Sequence, residues 1–180
     1  PRSTLFPYTT LFRSCCIGLV TNCRVAGGTD YGLYYAPLVQ GSVIVSNAGG
    51  GAFNPGFGLI ESSTVSWNTN PFAGGGIASF HTVRGCTVEG NASDTGGGIS
   101  GTGLSVVEGC TIRGNFAASF GGGLSDVALA RNCILEGNAA YYGGGVFGQG
   151  QGRIIGCLVS GNTAEGRGGG VYNEIGRAHV

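Results

Sequence analysis

Apolar residues recur along this chain in a fixed register with glycine and asparagine. The register reads V-x-x-C-x-V-x-G-N at Val83, Cys86, Val88 and Asn91, and again at Val107, Cys110, Ile112 and Asn115. Ala130, Cys133, Leu135 and Asn138 follow, then Ile154, Cys157, Val159 and Asn162. Upstream, Ser takes the Cys place in Ile60, Ser63, Val65, Asn68 and in Val39, Ser42, Ile44, Asn47. A degenerate first copy is Val20, Cys23 and Val25, with Gly28 at the Asn position, which makes seven copies. Around each Cys position apolar and polar residues alternate, the period of a strand with one buried face. Six Gly-Gly-Gly triplets punctuate the copies, starting at Gly49, Gly74, Gly96, Gly121, Gly143 and Gly168. One aliphatic column follows them: Ala52, Ile77, Ile99, Leu124, Val146 and Val171. A helix is excluded, because triple glycine breaks it once per repeat and no 3.6-residue stripe survives.

The triplets start 25, 22, 25, 22 and 25 residues apart, a period that marks a solenoid. Such repeats are too short to bury a core alone and must stack on their neighbours. The pattern predicts an all-β, right-handed, single-stranded parallel β-helix of about seven coils of 19–25 residues, each coil triangular. Strands then pair in register between coils, about 4.8 Å apart, and the hand follows from that of parallel crossovers. Equivalent residues stack into structural ladders: Cys86, Cys110, Cys133 and Cys157 in one, and Asn68, Asn91, Asn115, Asn138 and Asn162 in another. Asn amides in such a stack bond their copies above and below. From the last Gly of a triplet to the next Cys position the count is 12, 10, 12, 10 and 12. Two coils therefore form a duplicated unit of 47 residues, whose long member carries a glycine-rich loop: NPGFG, GTG or GQGQG.

Both ends depart from this pattern. Residues 1–14, PRSTLFPYTTLFRS, and 175–180, IGRAHV, resemble translated short-read sequencing adapter. Residues 15–174 are then expected to be a fragment of one β-helix domain, open at both ends and prone to self-association through uncapped coils. That segment holds six Arg against nine acidic residues, a net charge of −3, and the chain has no Lys. A mildly acidic, Lys-free segment predicts no nucleic-acid partner. No apolar run is long enough for membrane insertion as a helix.

CTVEGNASDTGGGIS, CILEGNAAYYGGGVF and CLVSGNTAEGRGGGVY resemble repeats of right-handed β-helix proteins of the pectin-lyase-like fold. They are most similar to the GN-x-A…GGG repeats of polymorphic outer-membrane proteins and related bacterial surface proteins. The resemblance spans roughly Val20 to Tyr172. It implies a non-catalytic scaffold of a secreted or surface-attached bacterial protein, extracellular or outer-membrane-associated, that presents loops to surface glycans or to host or matrix proteins. The alternative it leaves open is a fragment of a carbohydrate-active enzyme, a polysaccharide lyase or glycoside hydrolase, whose catalytic coils are missing.

Enzymes of that fold use clustered acids with an Arg, Lys or His. Here Asp30, Asp94 and Asp126 fall in different coils, and His81 sits in a loop without an acidic sequence neighbour. They read as exposed turn residues, so no catalytic residue is assigned. No triplet is followed by a calcium-roll Asp or a phosphate-loop G-K-[ST], so no cofactor is expected. The Cys column reads as buried free thiols acting as small hydrophobes, since ligands spread along a line do not converge on a metal. Cys15 and Cys16 lie at the open end and carry no inference. Outward columns alternate in sign, Glu61, Arg84, Glu108, Arg131 and Glu89, Arg113, Glu136, which reads as a register-fixing charge ladder. Thr64, Thr87 and Thr111 raise an ice-binding face, which the adjacent charges and the change to Ile134 and Leu158 argue against. Asn91-Ala92-Ser93 matches a glycosylation sequon, but Asn91 belongs to the inward ladder.

Overall fold

A computed structural model describes residues 18–150 and 152–173. Both adapter-like segments, together with Cys15 and Cys16, lie outside the described residues. One coil shows the plan. Leu59–Glu61 forms a first face, Thr64–Ser66 a second, Thr69–Ala73 a third and Ile77–Ala78 a fourth. The next coil then returns to the first face at Thr82–Arg84. Among the described residues, stacking these steps gives three seven-stranded sheets and one five-stranded sheet, and every pairing is parallel. The coil is thus four-sided where the sequence pattern predicts a triangle. The extra side is the third face, built from the residues between each Asn and its triplet. The first two coils are short there and contribute no strand to it.

The third face also completes the account of the two-coil unit. Long coils carry five-residue strands there, Thr69–Ala73 and Phe116–Phe120, whereas short coils carry four, Ala92–Thr95 and Ala139–Tyr142. The mismatch is absorbed as a bulge beside Ser93. One residue of the 25-versus-22 alternation is this bulge, and two belong to the glycine-rich corner.

Inward side chains from the first, second and fourth faces meet along the axis. Val83, Val107 and Ala130 stack from the first face, Val88, Ile112 and Leu135 from the second, and Ile77, Ile99 and Leu124 from the fourth. All of them are buried, and each fully buried aliphatic contributes roughly 1.5–3 kcal/mol. The third glycine of each triplet faces this interior. A Cβ on Gly98 would stand 2.6 Å from the Gly123 carbonyl oxygen and 3.0 Å from Asn115 Nδ2. No side chain fits between stacked backbone and the asparagine column, so the position is glycine in every triplet coil.

Turning from first to second face requires a left-handed residue. Gly41, Ser62, Gly85, Gly109, Asn132 and Gly156 all hold it, with φ between 48° and 61°. Glycine adopts that region without the Cβ–carbonyl clash other residues meet, and Asn tolerates it best among the rest.

Candidate functional site

The corner that carries the chain from the fourth face back to the first is where the coils differ most. Residues 54–58 and 101–105 make long corners; 79–81 and 126–128 make short ones. Each long corner is pinned by one buried polar side chain. Ser105 Oγ donates to the Phe80 carbonyl at 2.7 Å and accepts from Thr102 N at 3.1 Å. Asn54 Nδ2 donates to the Ala36 carbonyl at 2.8 Å. With their bases fixed, the corners push apolar tips into solvent: Phe57 is 93 % exposed and Leu104 71 %. His81, on the short corner between them, is exposed, its ring centroid 6.2 Å from that of Phe57.

The acids weighed for catalysis are not brought together. Asp126 sits on a short corner two coils from His81, with φ 52°. Its carboxylate accepts from Gln149 N at 3.2 Å and Ser125 Oγ at 3.0 Å, holding the next corner in place. Asp94 lies on the third face and accepts from Ser119 Oγ at 2.7 Å. Asp30 accepts from Tyr31 N at 2.8 Å in the first coils. Among the described residues, no three His, Cys, Asp or Glu side chains gather as a metal site.

Interior polar columns are saturated by their own copies. Asn91 Nδ2 donates to Asn115 Oδ1 at 3.0 Å and to the Val65 carbonyl at 2.9 Å. Asn115 Nδ2 donates likewise to Asn138 Oδ1 and the Val88 carbonyl, both at 3.0 Å. The column extends from Asn47 through Asn68 and Asn138 to Asn162 with the same Nδ2-to-Oδ1 bonds. Asn91 is 1 % exposed, so the sequon is closed to a glycan in the folded chain. Among the described residues no buried side-chain nitrogen or oxygen lacks a partner.

The thiol column runs beside it. Cys86 N donates to Cys110 Sγ and Cys133 N to Cys157 Sγ, each at 3.4 Å, and upstream Ser42 N donates to Ser63 Oγ at 3.1 Å. Cys86, Cys110, Cys133 and Cys157 are all free thiols. At Cys110 a hydrogen bond with Cys133 lowers the pKa, but that with Cys86 and burial outweigh it and push it up to about 12. The Cys110 hydrogen bond and burial push Cys133 up as well, and burial raises Cys157. Cys86 moves the other way, lowered by the Cys110 hydrogen bond. Cys110 and Cys133, buried and held protonated, are poor nucleophiles and poor ligands, whereas Cys157 is only partly buried.

Outside, the charge columns form ion pairs between coils. On the first face, Arg84 lies 4.0 Å from Glu61 and 3.5 Å from Glu108, and Arg131 lies 3.0 Å from Glu108. On the second, Arg113 meets Glu89 at 2.6 Å. The Arg131 hydrogen bond holds the Glu108 carboxyl below its ordinary value. Thr64, Thr87, Thr111, Ile134 and Leu158 share one outward column, so the threonine run ends in exposed aliphatics.

Aromatic residues carry surface features that the repeat motif does not announce. Trp67 is 66 % exposed and holds φ 55° at a corner where later coils have Gly. Its ring lies over Gly90, where a Cβ would come within 2.8 Å of it. On the third and fourth faces Phe120 stacks on Tyr142 (centroids 5.7 Å apart), and Tyr142 and Phe147 both stack on Tyr172 (5.4 and 5.8 Å). The signal for this stack was present in Phe147 and Tyr172, each two residues beyond a triplet. For Trp67 no periodic signal exists.

With four parallel sheets wound through successive coils, the comparison with known families is decisive. A family model described as the right handed beta helix region matches residues 20–180. The chain belongs to this family. Its coils are therefore right-handed, and the β-helix serves as a repeat scaffold. Comparison of the β-helix with curated proteins, and with solved structures, gives no match.

Proposed function

We propose that this β-helix is the non-catalytic repeat scaffold of a secreted or surface-attached bacterial protein, presenting its long corners for adhesion or glycan contact. The observation that carries this reading is the repetition of pinned corners with exposed apolar tips, Phe57 and Leu104, on one edge of the solenoid. Aromatic and aliphatic groups at solvent-facing tips suit sugar rings and protein surfaces, since rigid apolar area binds at low entropic cost. The dispersal of His81, Asp94 and Asp126, each accounted for by a local contact, supports scaffold over hydrolase or lyase. The fold itself decides nothing between them, because the same coil hosts both.

A panel of immobilised bacterial and host glycans and matrix proteins tests the reading. Binding to at least one class should weaken about ten-fold or more in a Phe57→Ala, Leu104→Ala variant, and polygalacturonate should remain uncleaved. Cleavage of such a polymer that is lost in His81→Ala or Asp126→Ala would replace the scaffold reading with an enzymatic one.

A further inference from the structure

The first face presents two outward columns. Beside the glycine-rich corner run Leu38, Leu59, Thr82, Val106, Leu129 and Arg153. Beside the next corner run Gln40, Glu61, Arg84, Glu108, Arg131 and Ile155. Leu38, Leu59, Val106 and Leu129 are all partly exposed although they point away from the core. Two properties of this face share one two-coil period: the sign of the charge and the length of the corner.

An alternating column is complementary to itself read backwards. Consider a two-fold axis parallel to the strands, lying between the coil of Arg84 and that of Glu108. It reverses coil order and keeps each column opposite its own copy, which is the self-complementary contact of a symmetric dimer. Arg84 then faces Glu108 of the second copy, and Glu61 faces Arg131. Leu59 meets Leu129, and Thr82 meets Val106. The same operation sets the long corner 101–105 against the short corner 79–81, and 54–58 against 126–128, so a long corner always meets a short one. Both matches follow from the one two-coil period. The second face fails the same operation, because its column of Ser66, Glu89, Arg113 and Glu136 leaves Glu136 opposite Ser66.

We propose that the first face is a self-recognition surface on which a second copy of this chain docks antiparallel, sheet against sheet. Facing sheets pack about 10 Å apart, which brings both columns into contact. The face is narrow compared with the roughly 800 Å² per partner of a standard interface, so the association is weak and reversible. Its charge pairs lie at the rim, so added salt weakens it. This inference is independent of what the corners bind.

Sedimentation equilibrium of the full chain tests it. Wild type should dimerise with concentration, less so as NaCl rises. Arg84→Glu with Arg131→Glu makes the column wholly acidic; Glu61→Arg with Glu108→Arg makes it wholly basic. Each double variant should be monomeric alone, and their equimolar mixture should dimerise. Leu129→Arg guards against misfolding of the swapped columns, since Arg153 already occupies that column, and it should weaken dimerisation about ten-fold or more. A wild type that stays monomeric at its highest soluble concentration overturns the proposal. So does self-association that is equal in wild type, Leu129→Arg and both swapped variants, which would assign the contact to the coil ends.

Discussion

Asn115 shows what one side chain does in this architecture. Its Oδ1 accepts from both Asn91 N and Asn91 Nδ2 at 3.0 Å, while its Nδ2 serves the Val88 carbonyl and Asn138. Truncation to Ala strands donors above and acceptors below, and each buried unsatisfied group costs about 1–3 kcal/mol. Asn115→Ala should therefore lose roughly 3 kcal/mol or more in urea denaturation; a loss under about 1 kcal/mol would mean that water replaces the amide. The thiols behave oppositely, because Ser42 and Ser63 occupy the same column with the same donor pattern. Their titration is the sensitive property. Cys110 is raised from 9.0 to about 12, and Cys133 is raised too. A raised thiol stabilises fully below pH 9, where the unfolded chain is also protonated. That stability is lost as pH climbs from 9 toward 12, where the unfolded thiols ionise and the buried ones resist. Thermal melting should fall steeply across this window in wild type and less steeply in Cys110→Ser, Cys133→Ser; parallel curves would contradict the assignment.

At the scale of the coil, two kinds of glycine carry different burdens. Gly98 lacks space, because backbone of the next coil lies 2.6 Å from where its Cβ would be. Gly109 has open space, with nothing within 4 Å, but sits at φ 60°. Gly109→Ala should cost about 1–2 kcal/mol, the left-handed penalty alone. Gly98→Ala must push two coils apart, so its loss in chemical denaturation should clearly exceed that of Gly109→Ala; the reverse order would refute the stacking. The contrast also marks how far the coil was legible in sequence. The first, second and fourth faces follow from Val, Cys and triplet columns, whose alternation is visible. The third was not, because TNPFA, ASDT and FAASF carry Pro, Asp and small residues without alternation. They become strands through pairing with equivalent backbone in the next coil, which composition does not encode. The bulge beside Ser93 was hidden for the same reason.

Across the whole molecule, the repeat constrains almost every inward position and few outward ones. Charge columns and glycine-rich corners were legible because they recur; Trp67 was not, because it departs from its own column. That asymmetry has a physical source, since stacking demands identity inside and tolerates variety outside. Successive coils stack in a single register with Cys86, Cys110 and Cys133 inside. Residue-resolved alkylation of the native chain with iodoacetamide at about pH 8, read by mass spectrometry, tests it most directly. Cys86, Cys110 and Cys133 are 2 %, 1 % and 1 % exposed, whereas Cys23 is exposed. Cys23 should react while the three column thiols react only after denaturant unfolds the coils. If Cys86, Cys110 and Cys133 are alkylated in the native chain as fast as Cys23, the single-register stack is wrong.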